Sequence, residues 1–185
     1  MELYYRPVSI FDKKIMDEFA LEHKDNSEMY MAGDCSIILG IGYQQIDDFY
    51  KWYKMVSNLD AEEHLKKNQV CCSCYLVFRK NDDKLIGIFD IRHSLNFKFG
   101  NVYGHIGISI RPSERRKGYY KEILNLSLDE INNYNINPVI ISCEYDNIAS
   151  KKGIEHIYGD YKDIVPCNGT HLLVYEKYLD KKKEI

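Results

Sequence analysis

Three cations, Arg115, Arg116 and Lys117, stand directly ahead of Gly118, and a helical stripe of Tyr120, Ile123, Leu124, Leu128, Ile131 and Tyr134 starts directly behind it. The residues before them, Gly107-Ile108-Ser109-Ile110, read as the end of a strand. A strand, a basic turn with a glycine and a helix start make an anion site. The first helical turn has backbone N–H groups without intrahelical partners and carries the positive end of the macrodipole. A phosphate would sit there, on backbone N–H groups from Arg116 to Tyr120, with side-chain charge from Arg115, Arg116 and Lys117.

The elements that must hold this turn follow from periodicity. Glu2 to Ile10 reads as a strand, Phe11 to Lys24 as an amphipathic helix, Asp25 to Gly42 as a glycine-containing loop, and Gln44 to Asn58 as a second helix. Val70 to Arg79 and Leu85 to Ile91, joined by Lys80-Asn81-Asp82-Asp83-Lys84, predict a hairpin. His93 to Tyr103 is a polar and aromatic connection leading to a strand over Gly104 to Ile110. Beyond the helix Tyr119 to Tyr134 come an apolar strand at Pro138 to Cys143, a short helix at Ile148 to His156 and a closing pair of strands. The tail from Asp180 to Ile185 reads as solvated.

The chain of 185 residues suits one domain spanning 1–185, with 45% hydrophobic and 29% charged residues. No apolar run reaches the roughly 18 residues of a membrane span and the N-terminus has no signal-peptide pattern, so a cytoplasmic protein without a membrane partner is expected. A net charge of −3 speaks against nucleic acid as partner. Six cysteines, among them Cys71-Cys72-Ser73-Cys74, lack the paired spacing of a zinc ribbon or a disulfide framework. They read as reduced thiols, with a metal site or redox switch as the alternative, and no metal is expected. Strand alternation would send Cys72 and Cys74 to one face and Cys71 to the other.

The element order and the motif R-x-x-G-x-(G/A), met by Arg115, Gly118 and imperfectly by Tyr120, resemble the GNAT superfamily of acyltransferases over essentially the whole chain. Asn147-Ile148-Ala149-Ser150 follows the next strand, where that superfamily places an Asn on cofactor. Ile91-Arg92-His93-Ser94-Leu95-Asn96, Gly104-His105-Ile106-Gly107 and Ile110-Arg111-Pro112-Ser113-Glu114-Arg115 look like a bacterial subgroup of predicted acetyltransferases. The resemblance implies an α+β fold, a mixed, mostly antiparallel central sheet flanked by helices. It also implies acetyl-CoA as co-substrate and direct transfer to an amine of a small molecule or peptide; a monomer or homodimer is expected.

Carried over residue by residue, the resemblance assigns cofactor binding to Ile108, Ser109, Ile110, Arg115, Arg116, Lys117, Gly118, Tyr119, Tyr120, Asn147 and Ser150. The edge of the strand at Ile108 to Ile110 would pair with the pantetheine arm and polarise the thioester carbonyl. His105, where relatives often carry a Glu, is the candidate base, with a histidine that orients strand or substrate as the alternative. His93 and Asn96 are candidate substrate contacts. Two residues depart from the pattern. Ile154 stands where the superfamily often has a Tyr to protonate the leaving thiolate, so Tyr158, one turn on, is the stand-in; Tyr120 stands where Gly or Ala is preferred. These departures leave a degenerate acyl-CoA-binding sensor as the alternative. A nucleotide-phosphate binder of another fold lacks support, because no G-x-x-x-x-G-K-(S/T) loop is present.

Overall fold

A computed structural model describes residues 2–46, 48–96 and 102–179. β1 (Leu3–Pro7), β2 (Cys72–Arg79), β3 (Lys84–Arg92) and β4 (Ile106–Ile110) form an antiparallel sheet in that order. β5 (Val139–Glu144), β6 (Asp163–Cys167) and β7 (Thr170–Lys177) form a second sheet, ordered β5-β7-β6. One isolated bridge, Gly104 to Ile141, joins the two.

Apolar side chains alternate along β2 and β3, so the first sheet is buried on both faces. One face carries α1 (Lys13–Asp25), α2 (Ser36–Leu39), α3 (Tyr43–Ile46) and α4 (Phe49–Ser57), with Met16, Phe19, Phe49 and Trp52 against Cys72, Cys74, Leu76 and Phe78. The other carries α5 (Tyr119–Ile131), with Ile123 and Leu124 in one core with Val77, Phe89 and Ile91, while α6 (Ile148–Tyr158) packs beside α5 on β5 and β7.

Two local expectations are corrected. The loop from Asp25 to Gly42 contains α2, whose ends at Cys35 and Gly40 take left-handed backbone. The single helix over Gln44 to Asn58 is two, because Asp48, in extended backbone, caps a fresh start by accepting from Lys51 N–H at 3.1 Å. Asp47, residues 97–101 of the aromatic connection and the tail at 180–185 lie outside the described residues. All six cysteines are free thiols, and Cys72 and Cys74 do share one face. Cys72 donates to Cys35 Sγ at 3.3 Å, and these two with Asp90 bring three possible ligand atoms within 4.8 Å of one another in the core.

Candidate active site

β4 is the edge of its sheet, and its hydrogen bonds show which groups are spare. Arg92 N–H donates to His105 C=O and Arg111 N–H to Ile86 C=O, both at 2.8 Å. By antiparallel alternation, residues 107, 109 and 111 turn their backbone groups to β3, whereas Ile106, Ile108 and Ile110 turn theirs outward; His105 divides its own, C=O to β3 and N–H outward. The outward neighbour β5 touches this edge only at its start. His105 N–H donates to Ile140 C=O at 2.7 Å, and Ile140 N–H donates to His105 Nδ1 at 3.0 Å. Beyond that strap no strand pairs with Ile106–Ile110 on this side among the described residues. Arg92 braces the same corner from below. It donates to the carbonyls of Tyr103 (3.0 Å) and Gly104 (2.8 Å) and forms a buried pair with Asp90 at 2.9 Å.

The far end of β4 runs through a single helical turn at Pro112–Glu114 into the basic stretch. Arg116 (φ 64°) and Gly118 (φ 87°) are both left-handed, a backbone that gathers successive N–H groups into an anion-binding concavity. Gly118 immediately precedes α5 and gives it no side-chain cap, so the opening N–H groups of the helix stay available. A Cβ at Gly118 would meet nothing within 4 Å, so the space over the helix start is open.

The three cations differ in what holds them. Arg115 makes a two-pronged ion pair with Glu28, one arm at 2.8 Å, and its Nε donates to Ile110 C=O at 3.2 Å. Lys117 donates to Glu114 at 2.9 Å and to Ser113 C=O at 3.1 Å. Glu114 is buried, which opposes its charge, but Lys84 at 2.7 Å, Lys117 and Arg79 outweigh that and bring its carboxyl to about 2. Among the described residues, Arg116 alone of the three has no ion-pair partner.

Tyr119 contributes its backbone to the helix start while its ring is buried and its hydroxyl accepts from Arg79 at 2.9 Å. Tyr120 turns away from the open space and lies on α6 at Gly153, where a methyl group would come within 2.4 Å of the ring. Its phenol faces Ser150, and burial raises its pKa. Asn147 caps α6, its Oδ1 accepting from Ser150 N–H at 3.1 Å. The basic turn, the open edge at Ile108–Ile110 and the Asn147–Ser150 turn thus cluster about the β4–α5–α6 junction.

The remaining candidates lie elsewhere or are committed. His105 is buried; desolvation first, then nearby Arg92, push its pKa down to about 4 against the opposing Ile140 contact. It is therefore a neutral imidazole near pH 7, with Nδ1 accepting and the proton on Nε2. Tyr158 packs at the end of α6 with its hydroxyl buried and unpaired, and burial raises its pKa. His93 and Asn96 sit past the end of β3, a full strand length from the basic turn. His93 Nε2 meets Ser73 Oγ at 2.9 Å, and Asn96 donates to Asn68 C=O at 3.0 Å. Glu28, Glu114 and Arg92, which brace the site, were not among the sequence candidates. Glu28 is in a loop without periodicity, and its partner is 87 residues away.

The residues fit coenzyme A. An uncapped helix start with two left-handed residues ahead of it suits a diphosphate, and an unpaired strand edge beside it suits a chain of amides. The family model described as "Acetyltransferase (GNAT) domain" matches residues 16–157. None of the curated proteins matches. Among solved structures, the chain is similar to the ribosomal-protein-S5-alanine acetyltransferase from Vibrio fischeri, at 14% identity and TM-score 0.69, covering 100% of this chain and 97% of that one. It is also similar to Mycobacterium smegmatis RimJ in complex with CoA-disulfide (16%, TM-score 0.66, 94% and 81%). The spermidine/spermine N-acetyltransferase SpeG from Vibrio cholerae is comparable (15%, 0.63, 96% and 95%). With an open strand edge beside an anion-binding turn, and a family match running from α1 to the last turn of α6, the chain belongs to the GNAT acetyltransferases and is an acyltransferase.

Proposed function

We propose that this chain moves an acetyl group from acetyl-CoA directly to an amine of a small molecule or a peptide. The observation that carries the reading is the junction of an uncapped α5 start, left-handed at Arg116 and Gly118, with the unpaired edge of β4. Acetyl-CoA supplies the activated thioester. Backbone N–H groups at the start of α5, with the unpaired charge of Arg116, hold the diphosphate. Ile108, with its outward N–H and C=O, and the N–H of Ile110, whose C=O accepts from Arg115, face the amide-bearing arm, and an outward N–H is where developing negative charge on the carbonyl oxygen is met.

His105 acts here as a positioning residue. Its Nδ1 lone pair is occupied by Ile140 N–H, so it fixes where β4 and β5 part instead of taking the ammonium proton. The test is thiol release from acetyl-CoA across a panel of amines and N-terminal peptides. Amine-dependent release supports transfer.

A second reading, an acyl-CoA sensor without turnover, is favoured by one observation. The α6 position at which relatives often carry a thiolate acid is Ile154, fully buried in the core. Tight CoA binding with no amine-dependent release across the panel would favour the sensor.

A further inference from the structure

A cavity of about 390 Å³ opens at the other end of the first sheet, lined by Pro7, Val8, Tyr53, Val56, Ser57, Asp60, Ser73, Cys74, Tyr75, His93 and Tyr134. The strand register separates it from the basic turn. Ser73 pairs with Ile91 and Ile91 with Ile106, at the strapped end of β4, whereas Ile110 pairs with Gly87 at the opposite end. Its volume lies within the range of small-molecule sites.

The chemistry of its wall is one-sided. Asp60 has no ion-pair partner among the described residues, and its one hydrogen bond is from Ser73 Oγ at 3.3 Å. Asp60 is an exposed residue at the rim of the cavity; partial desolvation raises its carboxyl pKa against the opposing Ser73 hydrogen bond. That hydroxyl is contested, because His93 Nε2 lies 2.9 Å from the same Ser73 Oγ. A serine has one proton to give. If it goes to His93, Asp60 is left without a donor; if it goes to Asp60, His93 must donate in turn. His93 is stacked on Tyr134 at 4.0 Å, and burial lowers its pKa, so the imidazole adds no charge near pH 7. Among the described residues no Lys or Arg lines the cavity, while Tyr53, Tyr75 and Tyr134 supply aromatic surface and Pro7, Val8 and Val56 supply apolar surface. Glu130 stands behind the ring hydroxyls, accepting from Tyr75 at 2.9 Å, and adds further negative potential.

We propose that this cavity binds a small organic ammonium ion with an apolar body, its charged end on Asp60 and Ser73 and its body among the tyrosines. The ring faces and the Asp60 carboxylate favour a cation. The lining residues come from β1, α4 and the turn after it, β2, the end of β3 and the residues after α5, none from the β4 edge, so the proposal does not depend on which amine is acetylated.

The test is titration calorimetry of the whole chain with 2-phenylethylammonium, against the neutral 2-phenylethanol, with and without saturating CoA. The ammonium should bind, the alcohol at least about tenfold more weakly, and Asp60→Asn should lose about tenfold for the ammonium while keeping wild-type CoA affinity. The affinity should be unchanged by CoA. Equal binding of alcohol and ammonium, an unaffected Asp60→Asn, displacement by CoA, or no binding up to about 10 mM would each overturn the proposal. If Asp60→Asn does not fold, the His93 imidazole resonances of the wild type decide: they shift with the ammonium if the site is real and stay fixed if it is not.

Discussion

Arg115 reaches back 87 residues to close both arms of its guanidinium on Glu28, whose Oε2 is also 2.7 Å from His23 Nδ1. The arginine of the R-x-x-G motif is therefore bound to the α1–α2 loop. If Arg115 also serves the diphosphate, phosphate must compete with Glu28 for it. Partly exposed pairs of this kind are worth about 0.2–1 kcal/mol. Glu28→Gln is expected to tighten CoA binding by about 1.5–5-fold, and Arg115→Ala to weaken it. Unchanged affinity in Glu28→Gln, measured by calorimetry, would show that Arg115 only ties the loop.

Gly118 separates stability from binding. Its φ of 87° costs an L-residue about 1–2 kcal/mol, yet an added Cβ meets no protein atom. Gly118→Ala is expected to fold with that modest loss. Gly118→Asp, which adds negative charge over the helix start, should lose CoA affinity by about 5–30-fold at a similar stability. Retained affinity in a folded Gly118→Asp protein would sink the diphosphate site.

His105 predicts a stability profile. Its pKa is about 4 in the folded chain against about 6.5 when unfolded, so between those values the unfolded state binds the extra proton. Stability is full above about pH 6.5 and falls toward pH 4, by an amount on the order of 3 kcal/mol from this residue. His23 and His93, also shifted down, add to the loss in the same direction. Urea unfolding of wild type and His105→Gln at pH 7 and pH 4.5 isolates the His105 share, which should be missing in the variant. The acetylation pH–rate profile should keep its shape in His105→Gln; loss of a limb would mean that His105 takes the proton after all.

The Tyr120–Gly153 contact can be tested as a pair. A helix-interior Gly→Ala change ordinarily gains about 1 kcal/mol, but here the new methyl would stand 2.4 Å from the Tyr120 ring. Overpacking of this sort costs about 1–3 kcal/mol. Gly153→Ala is expected to destabilise, and Tyr120→Ala in the same chain to restore part of the loss. Additive effects in the double-mutant cycle would mean that the ring moves aside freely.

The strand, turn and helix from Gly107 to Ile131 were readable because their signals are local: a change of period, a glycine and a run of charge. The break between α3 and α4 was missed because Ile46, Phe49, Tyr53 and Val56 keep a helical stripe across it; Asp48 was the signal, an Asp ahead of an apolar run. The positions of His93 and His105 were legible as strand ends, but their surroundings were not. Ile140, which occupies His105 Nδ1, comes from 35 residues later, and Tyr134, which stacks on His93, from 41 later. Glu28 carried no local pattern at all. Long-range pairing is decided by packing, and a single chain without periodicity does not announce it.

The strap between His105 and Ile140 also works as a depth gauge. From Ile110 to Ile106 the open edge of β4 runs four residue steps, roughly 13 Å of strand, and then ends where Gly104 bridges Ile141. An extended arm that starts at the basic turn has that length of edge to lie along. If the proposed donor lies along that edge, its acyl end comes up against the closed corner.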